Sequence, residues 1–148
     1  MLKLLVADDE RILREAVCYL IDWKSIGIEL AASCKNGREA YEEACRTKPD
    51  IILTDIKMPG LSGLDLVEKL SEPGRVLEFI LLTGYADFEY AHRALSHRVH
   101  HYLLIAGTYF AINQICRFVS HRNHIGWLTR RVLSQIVRPK TVLTENFT

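Results

Sequence analysis

The sequence predicts an α/β protein: a doubly wound parallel sheet of five strands with helices on both faces. Three observations predict it. Short apolar runs and helix-spaced segments alternate five times along the chain. Residues 51–54 are apolar up to a terminal Thr, the pattern of a strand buried on both faces. Acids stand where two such runs stop, Asp8 and Asp9 after the first and Asp55 after the third. In open α/β sheets, chemistry collects at the carboxyl ends of the strands.

The first strand spans residues 2–7. A helix over residues 10–21 follows, with Ile12, Ala16, Tyr19 and Leu20 near one face. Asp9 is its expected cap, and Glu10 suits its positive N-terminal dipole. Trp23 and Ile26 are expected to pack beneath the next loop. Residues 28–33 alternate weakly and read as the second strand. Asn36-Gly37 opens a helix through Thr47 with Ala40, Tyr41 and Ala44 inward. The third strand is bounded by Pro49-Asp50 before it and Met58-Pro59-Gly60 after it, where Pro fixes φ and Gly supplies φ > 0. Residues 63–70 form a short helix with Leu64, Val67 and Leu70 inward and Ser62 as its cap. Glu72-Pro73-Gly74 is a turn. Residues 76–82 form the fourth strand, 87–96 a helix and 102–105 the fifth strand. Residues from 109 onward are helical in pattern, Gly126 interrupts them, and Pro139 ends them.

The chain has 148 residues, 49% hydrophobic and 25% charged, enough for one domain with a full core and a little more. No apolar run approaches bilayer-spanning length, and no charged segment precedes an apolar one as in a signal peptide. A cytoplasmic location and no membrane partner are therefore expected. Cys18, Cys34, Cys45 and Cys116 make no CxxC, which favours reduced thiols over metal or disulfide use. Residues 1–89 carry 11 Lys/Arg against 17 Asp/Glu, a net of −6, whereas residues 90–148 carry 8 against 1, a net of +7. All six histidines lie in that second part. Two readings of it stand: a basic face for a partner or nucleic acid, or a segment that is not a native ending of this fold.

Asp8 alone reads as a helix cap and Asp55 alone as the start of a turn. Together, at matched strand ends, the three carboxylates repel one another unless a hard cation sits among them. A set of oxygen ligands suits Mg²⁺.

Val6-Ala7-Asp8-Asp9-Glu10, with Leu53-Thr54-Asp55-Ile56-Lys57-Met58-Pro59-Gly60 and Leu81-Leu82-Thr83-Gly84-Tyr85, resembles the receiver domain of two-component response regulators over residues 1–104. Ile21-Asp22-Trp23 further resembles receivers that precede an arabinose-regulator-type helix-turn-helix region. The resemblance implies flavodoxin-like strand order 2-1-3-4-5, a receiver over residues 1–121, and a helical extension with a frayed tail over 122–148. It implies that Asp55 is the phosphoacceptor and that a sensor histidine kinase is the partner. Mg²⁺ would be held by Asp9, Asp55 and the backbone carbonyl of Lys57, with Asp8 acting through a water. Thr83 would be the switch hydroxyl and Tyr102 the aromatic switch residue. The output would be transcriptional, reaching DNA only through an effector region outside this sequence. The chain would be no enzyme in its own right, and a second copy of it is a further candidate partner.

The sequence departs from that family at one place. The family carries Lys-Pro after the fifth strand, and here the residues are Ile105-Ala106. Ile105 has no ammonium to pair with the aspartate or a phosphoryl oxygen. Phosphorylation at Asp55 with weakened signal propagation is the resulting expectation. The competing reading is a phosphorylation-independent pseudo-receiver that serves as an interaction or dimerisation module. A third, nucleic-acid binding by the tail through Arg130, Arg131, Arg138, Lys140 and Trp127, is weaker than a solvated helical face.

Overall fold

A computed structural model describes residues 1–75, 77–83 and 101–104. Its elements, in chain order, are β1 (Leu2–Ala7), α1 (Arg11–Tyr19), a 3₁₀ turn (Trp23–Ile26), β2 (Ile28–Cys34), α2 (Gly37–Thr47), β3 (Ile51–Asp55), α3 (Gly63–Leu70), β4 (Glu78–Thr83) and β5 (His101–Leu104). The strands form one sheet in the order β2-β1-β3-β4-β5, and every pairing is parallel. The flavodoxin-like order expected from the sequence is the order observed. The expected helix over 87–96, the helical segments beyond residue 109 and the boundary at 121 lie outside the described residues.

The inner strands β1, β3 and β4 read as largely apolar runs because each serves two cores. Leu4, Val6, Ile51, Leu53, Ile80 and Leu82 enter one core with Leu13, Val17 and Trp23. Their neighbours Leu5, Ala7, Ile52, Phe79 and Leu81 enter the other with Ala40, Ala44, Leu64 and Val67. Alternate residues of a strand point to opposite faces, so a strand covered on both sides is apolar except where a polar side chain finds its own hydrogen bond, as Thr54 does. Trp23 and Ile26 are buried, as expected. The Trp23 indole N–H donates to the Val17 carbonyl at 2.9 Å and ties the 3₁₀ turn to α1.

One face is corrected. α1 buries Leu13, Val17 and Cys18, while Ile12, Tyr19 and Leu20 are exposed at 74%, 75% and 62%. Both sets satisfy helical spacing, and the sheet decides between them by which set it covers. The cap also differs. Glu10, not Asp9, occupies the N-cap of α1, with no side-chain cap bond. Elsewhere the capping chemistry is as read: the Asn36 side chain accepts from Glu39 N–H at 2.8 Å, and Ser62 and Asp65 close a reciprocal capping box on α3. Tyr41 is half-buried beside the α2–α3 core rather than inside it.

Candidate functional site

Strand register brings the acids together. Ala7 pairs with Thr54 and Asp55 pairs with Leu82, so the residue after β1 emerges beside the last residue of β3. Carboxylate oxygens of Asp8, Asp9 and Asp55 all lie within 4.8 Å of one another. The structure thus gathers the three acids that the sequence singled out.

The three differ in setting. Asp8 is buried, at 1% exposure. Its N–H donates to the Cys34 carbonyl at 3.1 Å, its Oδ1 accepts from Glu10 N–H at 2.8 Å, and its carbonyl accepts from Arg14 Nη1 at 2.6 Å. Its Oδ2 is buried with no hydrogen-bond partner among the described residues. Asp9 is exposed and Asp55 half-buried. Asp55 Oδ1 accepts from Ile56 N–H at 2.7 Å. That N–H also reaches the Leu82 carbonyl at 3.2 Å.

These settings load the pocket with electrostatic strain. Burial pushes the Asp8 carboxyl up to about 7; the Glu10 N–H opposes this, and the charges of Asp55, Asp9 and Glu10 add to it. Burial likewise pushes Asp55 up to about 6, opposed by the Ile56 N–H and reinforced by Asp9. A buried carboxylate oxygen without a donor is costly. Oxygen-only donors around one point, one of them orphaned, fit a hard divalent cation such as Mg²⁺.

The turn after β3 is built against the pocket. The hydroxyl of fully buried Thr54 donates to the Asp55 carbonyl at 2.9 Å. Gly63 N–H donates to the Ile56 carbonyl at 2.9 Å, and a Cβ on Gly63 would stand 2.3 Å from the Asp55 carbonyl oxygen. Only the missing side chain lets α3 start so close to the strand tip. Gly60 takes φ +80° after Pro59, as the turn requires.

Lys57 lies two residues past Asp55 in this turn and is exposed. Thr83 ends β4, one residue beyond the partner of Asp55. Tyr102 sits on β5 opposite Leu81. Ile105 lies outside the described residues. Sequence reasoning missed Arg14, whose bond to the Asp8 carbonyl has no signature in spacing. It also missed the close approach of Gly63. A Gly opening a helix right after a Ser cap was the available signal.

Residues 4–104 match the response regulator receiver domain family. The chain is 45% identical over 104 residues to the transcriptional regulatory protein YesN of Bacillus subtilis, covering 70% of this chain and 28% of that protein. It is 35% identical over 104 residues to the transcriptional regulatory protein HptR of Staphylococcus aureus, covering 70% and 40%. Among solved structures, the receiver domain of AraT from Geobacillus stearothermophilus superposes with a TM-score of 0.72 at 33% identity, covering 83% of this chain and 95% of that one. The matches to YesN and HptR thus span well under half the length of those regulators.

Proposed function

The chain belongs to the response regulator receiver domain family, and from that membership we propose that it accepts a phosphoryl group on Asp55 from a sensor histidine kinase, in a Mg²⁺-dependent step. The observation that carries this reading is the convergence of Asp8, Asp9 and Asp55 within 4.8 Å, with Asp8 Oδ2 buried and unpartnered. Asp55 is the member of the trio that is both rigidly placed at a strand tip and open to solvent on one side.

Asp9, Asp55 and the Lys57 carbonyl would hold Mg²⁺, with Asp8 acting through a water. Mg²⁺ supplies positive charge that balances the phosphoryl oxygens and the acids together. The chain's own part is positioning. An Asp55 carboxylate oxygen forms the new O–P bond as the P–N bond to the donor imidazole breaks and its electron pair leaves with nitrogen. The Ile56 N–H on Asp55 Oδ1 fixes the carboxylate rotamer and favours its ionised form. The chain is a phosphoacceptor and transmits a state; it is not a turnover catalyst.

Thr83 is assigned the switch hydroxyl and Tyr102 the aromatic that follows it, on a receiver over residues 1–121 followed by a helical extension over 122–148. Transcriptional output would pass through an effector region of the arabinose-regulator type and act on DNA there. Regulators of transcription among the relatives support that output. Ile105 and Ala106 stand where the family carries Lys and Pro, which favours weakened propagation after phosphorylation. The same two residues keep the pseudo-receiver reading, with a second copy of the chain as partner, as the alternative.

Incubation with acetyl phosphate, with and without Mg²⁺, tests the proposal. A gain of one phosphoryl group, dependent on Mg²⁺ and absent from Asp55→Asn, is expected. Equal labelling of Asp55→Asn, or none of the native chain at saturating Mg²⁺, would overturn it in favour of the pseudo-receiver.

A further inference from the structure

The loop that carries Asp8 and Asp9 is clasped by one residue of the following helix. Arg14, half-buried on α1, donates its main-chain N–H to the Glu10 carbonyl at 3.0 Å and its Nη1 to the Asp8 carbonyl at 2.6 Å. The first bond is ordinary helix geometry. The second is not: a guanidinium reaches back six residues to a strand-end carbonyl. The Asp8 peptide is then tied at both ends, its N–H to Cys34 and its carbonyl to Arg14. With Glu10 N–H on Oδ1, the Asp8 side chain keeps only Oδ2 free to face the pocket.

We propose that Arg14 is a positioning residue for divalent-cation binding: by holding the Asp8 carbonyl, it fixes the Asp8-Asp9 peptide so that both carboxylates face Asp55. The inference rests on the cation-dependent reading of the pocket given above. A charge-assisted bond to a carbonyl is stronger than a neutral one and is not readily replaced by water. Arg14 also brings a positive charge onto the loop that carries Asp8 and Asp9, in a chain whose family lysine is replaced by Ile105.

Positioning and plain electrostatics predict opposite outcomes, which makes the role testable. A cation near the pocket repels Mg²⁺, so deleting its charge should tighten binding if charge is all it contributes. If it acts by positioning, deleting it should weaken binding. Arg14→Met suits the test because Met and Arg have similar helix propensities, so α1 persists. Mg²⁺ is titrated into the unphosphorylated chain, and the backbone amide resonances of Asp8, Asp9 and Asp55 are followed by NMR. The expected result is a rise in Kd of about tenfold for Arg14→Met and of less than about threefold for Arg14→Lys, which keeps a donor and a charge. Unchanged or tighter binding by Arg14→Met overturns the proposal, as does an Arg14→Lys protein as impaired as Arg14→Met. Should Arg14→Met not fold, as judged by its melting curve without Mg²⁺, Arg14→Gln is measured against the same two outcomes. Failure of the native chain to bind Mg²⁺ sinks the reading of the pocket itself; binding by the native chain with no loss in the variants sinks only the role of Arg14.

Discussion

The tips of β1 and β3 deliver acids to the same point by opposite means. At β1, the main chain is held and the carboxylate is hidden: Asp8 is 1% exposed, with its N–H, carbonyl and Oδ1 all bonded. At β3, the strand is buried up to Thr54, and Asp55 then emerges half-exposed on a turn packed against α3. The first tip is suited to holding a charge in place and the second to presenting one. The difference teaches that a shared site does not need equivalent ligands. It needs one acid that cannot move and one that a partner can reach.

The largest effect that bears on this comparison is the pH dependence of stability without metal. Asp8 is raised to about 7 and Asp55 to about 6 from an ordinary value of 3.8. The folded state therefore holds these protons more tightly than the unfolded chain does. The resulting stability is complete below about pH 4 and is lost as pH rises through about 6 to 7. The loss is on the order of a few kcal/mol, with Asp8 the larger share because Asp55 is partly solvated. Mg²⁺ should reverse it. Melting curves are expected to show a Mg²⁺-induced rise in Tm that is large at about pH 8 and small at about pH 5. An equal rise at both would mean that the two carboxylates are not the ones being neutralised. Asp8→Asn isolates the hidden tip: Tm without Mg²⁺ rises, and its fall with pH becomes shallower.

Next in size is the crowding at the β3 tip. Gly63→Ala puts a Cβ 2.3 Å from the Asp55 carbonyl oxygen, which forces backbone to move. A loss of about 2–3 kcal/mol in chemical denaturation is expected, together with weaker Mg²⁺ binding because Asp55 is displaced. Gly37→Ala meets the Leu61 carbonyl oxygen at 1.9 Å on the far side of the same turn. It is expected to destabilise similarly while disturbing Asp55 less. Gly60→Ala meets nothing within 4 Å but must hold φ +80°, so it is limited to the left-handed penalty of about 1–2 kcal/mol.

Much of this pocket was legible in the sequence, and the reasons are physical. A strand buried on both faces is apolar for most of its length, so the run at 51–53 announces itself, and an acid just past its closing Thr stands out. Ser62 and Asn36 announce caps because a short polar side chain before a helix has one obvious use. What was not legible depends on which surfaces meet. Residues 12, 16, 19 and 20 make as good a stripe as residues 13, 17 and 18, and packing against the sheet decides: of the first set only Ala16 lies against the core. The Arg14 bond depends on the path of the β1–α1 loop, which spacing does not encode. The unequal burial of Asp8 and Asp55, and with it their raised pKa values, follows from packing rather than from residue type.

The smallest effect concerns how each tip hands over to its helix. α3 starts with a capping box, in which Asp65 N–H donates to Ser62 Oγ at 3.1 Å and Ser62 N–H donates to Asp65 Oδ2 at 2.8 Å. α1 starts at Glu10 with no side-chain cap bond, its first turn being fastened by Arg14 instead. Ser62→Ala is therefore expected to lower stability by about 1 kcal/mol. Glu10→Ala should change it by less than about 0.5 kcal/mol, since an exposed side chain with no cap bond has little to lose. Equilibrium urea unfolding of the two variants decides the matter. A Glu10→Ala loss equal to that of Ser62→Ala would mean that α1 is capped like α3, and that the contrast between a clasped tip and a capped one is not real.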